Sequence, residues 1–398
     1  MVNHAAFESK GVILGAAFLM ATSAIGPGFL NNTSLFTQQL LTSFGFVIVV
    51  SILLDIGVQL NTWRIITVSE CRAQDLANKV LPGLGIILSV LVVFGGLAFN
   101  IGNIAGCGLG FEVLTGIDVK WGAVISCVIA LGIFWYKEAG KAIDIFVKFL
   151  GVAMIAATLY VVFASHPPLK EAIYRSVWPE KIDVKMIVAL VGGTVGGYIS
   201  FAGAHRLLDA GVKGQDTIAQ TTRGAVTGIL ITSLMRYILF LAALGVVVHK
   251  GILSTSNPAS SVFKLAAGQL GYKFFGIVMW SAAITSVVGA SYTSVSFWKT
   301  LHPWIERNTR GVISAFIIIT TGAFLFLKET PSVILVIAGA VNGLILPITL
   351  AVMLIASTKQ KLMGSYKHPL WMQLAGWLVV ALMSWMGFVT LRQTIFRF

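Results

Sequence analysis

The chain has 398 residues, 57% of them hydrophobic and only 11% charged, with a net charge of +13 and a mean hydropathy of +0.89. Such a composition excludes a soluble globular domain. The basic residues are scattered among short loops, so the positive charge gives no nucleic-acid signal and no nucleic-acid partner is expected.

Apolar runs of about 20 residues recur from end to end, each long enough to cross a bilayer core. The chain therefore reads as one all-α polytopic transmembrane domain, residues 1–398, embedded in a lipid bilayer. In chain order the first span covers 11–40 and is interrupted at Gly26-Pro27-Gly28. Further spans are predicted near 44–63, 82–108, 121–136, 145–165, 186–208, 224–247, 274–298, 310–328, 332–357 and 370–391, eleven in all. The sixth of these, 186–208, is interrupted by glycines. Lysines and arginines concentrate in the loops that are cytoplasmic when the N-terminus is inside, and the long segment 166–185 counts little in that comparison. The expected placement is a bacterial plasma membrane with the N-terminus cytoplasmic and the C-terminus external. Cys71, Cys107 and Cys127 have no metal-motif spacing and read as buried, inert thiols. No removable signal peptide and no Walker sequence is evident, so neither ATP drive nor an enzymatic activity is expected, and no cofactor.

The two interruptions organise the reading. Gly192, Gly193, Gly196 and Gly197 fall within six residues of an otherwise apolar helix, and each internal glycine costs about 1 kcal/mol relative to alanine. Irregular backbone at membrane depth is tolerated where it is buried in protein or lines a cavity. Spans 1–5 and 6–10 each open with a broken helix, and an odd number of spans inverts the second half relative to the first. That is the inverted-repeat plan of secondary transporters, with repeats at about 11–165 and 186–357, an extra helix at 370–391, and the site between the breaks. Half-helix N-termini offer free N–H groups to anions, and half-helix C-termini offer carbonyls to cations. The alternative for any single glycine is tight helix packing.

The stretch Val188-Ala-Leu-Val-Gly-Gly-Thr-Val-Gly196-Gly197-Tyr198 resembles the sixth-helix segment of the Nramp metal-ion transporters, which reads approximately Val-Ala-Leu-Val-Gly-Ala-Thr-Val-Met-Pro-His. Gly26-Pro27-Gly28-Phe29 falls where that family has Asp-Pro-Gly-Asn, and Ser286-Val-Val-Gly-Ala-Ser-Tyr-Thr-Ser294 and the eleven-span layout also fit. The resemblance covers nearly the whole chain. It implies the leucine-transporter-like fold and a symporter-like secondary transport of metal ions. Yet Gly26, Phe29 and Gly196 stand where the family binds metal, Tyr198 where it has a histidine, and Asn100 and Asn103 where its third span carries a proton on Asp and Glu.

A transition metal wants imidazole, thiolate, thioether or carboxylate, and hard cations want oxygens, usually with carboxylates. The matched positions supply only Tyr198, Ser200, Thr194, Asn31, Asn32 and backbone carbonyls, so no metal ligand is assigned. A small zwitterion or carboxylate, bound among Gly26, Pro27, Gly28, Phe29, Thr194, Gly196, Gly197, Tyr198 and Ser200, suits them better. A divalent cation of magnesium or manganese type, as in the Nramp family, is the alternative. A channel and a non-transporting receptor are further readings, and a channel would need a polar path that the sequence barely offers.

Charges at membrane depth are costly and are functional candidates by default. Asp55 lies mid-span 2 and Arg236 mid-span 7. They form either a structural ion pair or a site in which Arg236 reads a substrate carboxylate. Asn100 and Asn103 share one helix face, as an interhelical clamp or as part of a polar path. His205, Arg206 and Asp209 are expected at a solvated helix end or at an inner gate. Asn342 and Pro347 are expected to provide a packing contact and a kink.

Overall fold

The computed structural model describes residues 25–299 and 302–395, with side chains everywhere in them except 137–150, 250 and 394–395. The first half of the predicted broken span, 11–24, lies outside these residues. The described chain is helical, without strands among the described residues. Among the described residues eight segments are long and apolar enough to cross a membrane, and a pair bent by 111°, Gly151–Ser165 with Leu169–Arg175, would make a ninth. Val119–Trp135 is a shorter apolar helix.

The helices are α1 (Pro27–Leu40), α2 (Phe44–Ser69), α3 (Ala73–Val80), α4 (Leu84–Thr115), α5 (Val119–Trp135), α6 (Lys137–Ser165) and α7 (Leu169–Arg175) in the first half. The second half holds α8 (Val184–Val195), α9 (Tyr198–Asp209), α10 (Ile218–Lys250), α11 (Pro258–Ser296), α12 (Pro303–Arg307), α13 (Thr309–Phe326), α14 (Pro331–Ser357), α15 (Gln360–Met363) and α16 (Leu370–Ile395). Two short helices, α3 and α7, occupy segments expected as loops. α3 earns its place by burying Ala73, Leu76 and Ala77 completely while Asp75 and Lys79 face outward.

The break in the predicted sixth span falls at Gly196 and Gly197. Asp183 opens α8 by accepting from the backbone N–H of Lys185 and Met186 at 2.8 and 3.2 Å, which satisfies two otherwise free donors. The helix closes with Gly196 N–H donating to the Gly192 carbonyl at 3.2 Å. Gly196 is extended (φ −74°, ψ 158°), and Gly197 turns to φ +53°, ψ −125°, a region closed to most L-residues. α9 then starts afresh at Tyr198. α1 starts at Gly26 in an extended conformation with Pro27 at the first helical position, where its missing N–H costs nothing.

α1 packs against α10, α11 and α14, and α8 lies along α14 and against α2. At one end the bundle is tied across α2, α3 and α9. Arg72 pairs with Asp209 at 2.6 Å, Lys213 with Glu70 at 2.8 Å, and Gly214 N–H donates to the Thr67 carbonyl at 2.9 Å. His205 is buried here rather than solvated. Its Nε2 accepts from Ala73 N–H at 3.1 Å, and its ring packs against Phe201 and Phe297.

Candidate substrate site

A cavity of about 250 Å³, counted with its open mouth, lies between α1, α4, α8, α10 and α14, and its enclosed part has room for roughly one water molecule. Gly28, Phe29 and Asn32 face it from α1, Ala189, Leu190 and Gly193 from α8, Phe99 from α4, Arg236 from α10, and Leu335 and Gly339 from α14. A β-carbon on Gly193 would meet nothing within 4 Å, so this glycine leaves its space to the cavity.

Among the described residues Arg236 is the only charged side chain in that lining, and it is 3% exposed. Its guanidinium carbon stands 4.4 Å from the centroid of the Phe29 ring, a cation–π contact. Its Nη1 donates to the Thr194 hydroxyl at 2.9 Å, and its Nε has no partner among the described residues. Asp55 of α2 is 1% exposed and feels the Arg236 charge. One carboxylate oxygen, Oδ1, has no partner. Of the two roles expected for this pair, the close ion pair is not formed: the ion pairs among the described residues do not include Asp55 with Arg236.

The other predicted site residues are placed differently. Gly196 and Gly197 face α14, not the cavity. A β-carbon on Gly197 would collide with Asn342 Oδ1, and one on Gly196 would collide with the Gly192 carbonyl. Gly192 itself is pressed against the backbone of Gly339 and Gly343, so the packing reading describes these three glycines while Gly193 alone opens to the cavity. Asn342 is pinned there, its Nδ2 donating to the carbonyls of Gly95 and Ala338, both at 2.9 Å. Pro27 packs into the space left by Gly106 of α4, and Gly26 caps α1 behind it. Ser200 turns its hydroxyl back onto the Val195 carbonyl, and its own carbonyl accepts from Trp63 Nε1 at 3.1 Å. Tyr198 is buried edge-to-face on Phe99, with centroids 5.6 Å apart, and Asn103 is buried with its Nδ2 unpaired among the described residues. Asn100 ties α4 to α11 and α13 through Ser291 at 3.1 Å and Thr320 at 2.9 Å.

Sequence reasoning missed Phe99, Ala189, Leu190, Leu335 and Gly339 as lining. The Gly339–Gly343 spacing of four was the available signal, since small residues one turn apart mark close helix approach in membranes. Among the described residues no group of three or more His, Cys, Asp or Glu is arranged to hold a metal ion.

Comparisons with known proteins place this geometry. The chain is 59% identical over 384 residues to the membrane protein YcsG of Bacillus subtilis, covering 96% of this chain and 95% of that one. It is 25% identical over 394 residues to the divalent metal cation transporter MntH of Aeromonas hydrophila, covering 94% and 93%. Among solved structures, the Eremococcus coleocola manganese transporter superposes with a TM-score of 0.74 at 16% identity, over 98% of this chain and 88% of that one. MhsT in complex with L-phenylalanine superposes with a TM-score of 0.63 at 16% identity, over 94% and 97%. These likenesses establish the leucine-transporter-like fold, and the bundle is that of a membrane transporter rather than an enzyme. The sequence profile described as natural resistance-associated macrophage protein-like matches residues 17–393, and the chain belongs to the Nramp family.

Proposed function

We propose that this transporter carries a small organic solute bearing a carboxylate, either a zwitterion or a simple carboxylate, across a bacterial plasma membrane. The observation that carries the reading is Arg236. It is a buried guanidinium in the cavity wall with an unpartnered Nε, steadied by the Phe29 ring. A planar guanidinium matches a carboxylate in geometry and charge. The same positive charge in a low-dielectric cavity repels a divalent cation. Phe29 and Phe99 supply apolar faces for the solute body, and Gly28 and Gly193 leave it room.

The MntH relatives and the Eremococcus manganese transporter are named for metals, and MhsT binds L-phenylalanine on the same fold. Supporting the organic reading over the metal one is the described lining, whose polar side chains are one amide, Asn32, and one arginine, Arg236, where a dehydrated cation needs compensating anions. Substrate enters and leaves when α1 and α8 move relative to α10 and α14. In this reading the N-terminus is cytoplasmic and the C-terminus external, as the distribution of lysine and arginine among the loops favours.

The test is uptake into proteoliposomes of radiolabelled pyruvate, lactate, glycine and proline beside manganese and magnesium. At least one of the four carboxylates should be taken up, and Arg236→Gln should abolish it. Manganese uptake with no carboxylate uptake would overturn the reading.

A further inference from the structure

Arg236 accounts for one end of a carboxylate solute and leaves the other end open. Next to the cavity-lining residues Asn32 and Leu335 lie two buried polar atoms without a partner among the described residues, Asn31 Oδ1 and Ser332 Oγ. Asn31 and Ser332 are each 1% exposed. Asn31 precedes Asn32 on α1, and Ser332 comes one turn before Leu335 on α14, about 4.5 Å along the helix. The two are neighbours: Asn31 Nδ2 donates to the Ser332 carbonyl at 3.2 Å and to Asn32 Oδ1 at 3.0 Å. Asn32 Nδ2 in turn donates to the Leu335 carbonyl at 3.5 Å.

These bonds fix which way the Asn31 amide faces. Two acceptor oxygens lie against its Nδ2, and turning the amide over would set Oδ1 against both of them. Oδ1 is therefore the atom left open, and a buried acceptor without a donor is costly. The donor that suits this place is neutral. Neither α1 nor α14 carries a charged side chain that could balance an ion. Ser332 stands in the first turn of α14, whose N-cap Thr330 makes no side-chain capping bond, and that positive helix end disfavours an ammonium group or a metal cation. Asn31 Oδ1 disfavours a second carboxylate, which offers only acceptors.

We infer that Asn31 and Ser332 form a subsite for a neutral hydrogen-bond donor, a hydroxyl or an N–H, carried by the substrate at the end remote from its carboxylate. The inference rests on the carboxylate reading and narrows it to hydroxy acids and carboxylates with a neutral N–H, long enough to reach from Arg236 to this pair. The carboxylate takes the open Nε of Arg236, and the body lies along Phe29 and Phe99. The remote O–H or N–H donates to Asn31 Oδ1, with the Ser332 hydroxyl beside it. A site that hydrogen-bonds a hydroxyl rejects the analogue lacking it, because its own polar groups then stay unpaired. Asn31 and Ser332 thus set specificity, and Arg236 sets the charge of the solute.

The experiment measures competition against uptake of the labelled panel carboxylates into proteoliposomes, for the parent, Ser332→Ala and Asn31→Leu. The competitors are butyrate, 4-hydroxybutyrate and 4-aminobutyrate, alike in length and ending in a methyl, a hydroxyl and an ammonium group. In the parent, 4-hydroxybutyrate should compete about tenfold better than the other two. Each variant should bring 4-hydroxybutyrate to the level of butyrate and leave competition by butyrate itself unchanged, which shows that the protein is folded. Equal competition by butyrate and 4-hydroxybutyrate in the parent would mean that a resident water fills the place, and would overturn the subsite. An advantage that survives in both variants, or loss of butyrate competition in both, would also overturn it. A 4-aminobutyrate as potent as 4-hydroxybutyrate would overturn the preference for a neutral donor. Each of these outcomes leaves the carboxylate reading standing. Failure of all panel carboxylates to enter would remove both.

Discussion

Asn342 Oδ1 fills the space where a β-carbon on Gly197 would sit, so the break between α8 and α9 is plugged by a side chain from α14. Two donated hydrogen bonds, to Gly95 and Ala338, fix that plug. The glycines at the break thereby hold α8 against α14, and the substrate space opens one turn earlier, at Gly193.

That arrangement separates neighbouring glycines by effect. Gly197→Ala should destabilise the protein by at least about 1–3 kcal/mol from its positive φ alone, with the collision against Asn342 added. Gly193→Ala should leave the melting temperature unchanged or raise it, since alanine favours a helix by about 1 kcal/mol, while lowering carboxylate uptake by narrowing the cavity. Melting curves in detergent and liposome uptake, measured side by side, check the pair. Equal loss of stability in both variants would contradict the assignment.

Asn342→Asp replaces the donating amide with an acceptor aimed at two carbonyls. Leaving those carbonyls unpaired beside a buried anion should cost on the order of 3 kcal/mol. A drop in melting temperature larger than that of Asn342→Ala is the expected result.

Phe29 steadies Arg236 through its ring face. Phe29→Leu keeps the apolar bulk and removes the cation–π term, on the order of 1 kcal/mol, or about fivefold in carboxylate affinity. Equilibrium binding of labelled carboxylate to both proteins measures it.

His368 lies between the spans, just before α16. It is buried, its Nε2 faces Asn61 Oδ1 at 2.7 Å, and its Nδ1 faces the Tyr366 hydroxyl at 3.2 Å. Burial first, and the nearby Arg64 charge second, push its pKa down to about 4 from the ordinary 6.5. Between those values the unfolded chain binds a proton that the folded chain refuses. Stability is thus fully present above pH 6.5 and is lost as pH falls towards 4, by on the order of 2 kcal/mol. Melting temperatures from pH 7.5 to 4.5 should fall, and His368→Gln should reduce that slope.

Much of the architecture was legible from residues. Apolar length gave a bundle of membrane-length helices, eight or nine among the described residues against the eleven expected, and Gly196-Gly197 gave the position of the break, because glycines inside an apolar helix weaken it. Asp55 and Arg236 stood out because charge at membrane depth is costly. The sequence could not show which glycine faces space and which faces α14, since that depends on the rotation of α8 against a helix about 150 residues later. Nor could it show Arg236 donating to the Thr194 hydroxyl, which is set by side-chain direction rather than spacing. His205 was misplaced for a related reason: α3, read as loop, covers it and supplies the Ala73 N–H that its ring accepts.

The same packing revises one substitution that family resemblance suggests. Gly26→Asp with Gly196→Met would imitate the metal-binding pattern, but a side chain on Gly196 meets the backbone of Gly192 and Asn342. The double variant should lose stability before it gains metal affinity, as melting with and without manganese would show.

The central claim is that Arg236 holds a substrate carboxylate. Its most direct measurement is calorimetric titration of the purified parent, Arg236→Lys and Arg236→Gln with pyruvate, lactate, glycine, proline and manganese. The account predicts binding of at least one carboxylate to the parent, weakening of at least tenfold in Arg236→Lys, loss in Arg236→Gln, and no strong manganese binding in any of the three. Micromolar manganese affinity in the parent, or carboxylate binding that survives Arg236→Gln, would contradict it.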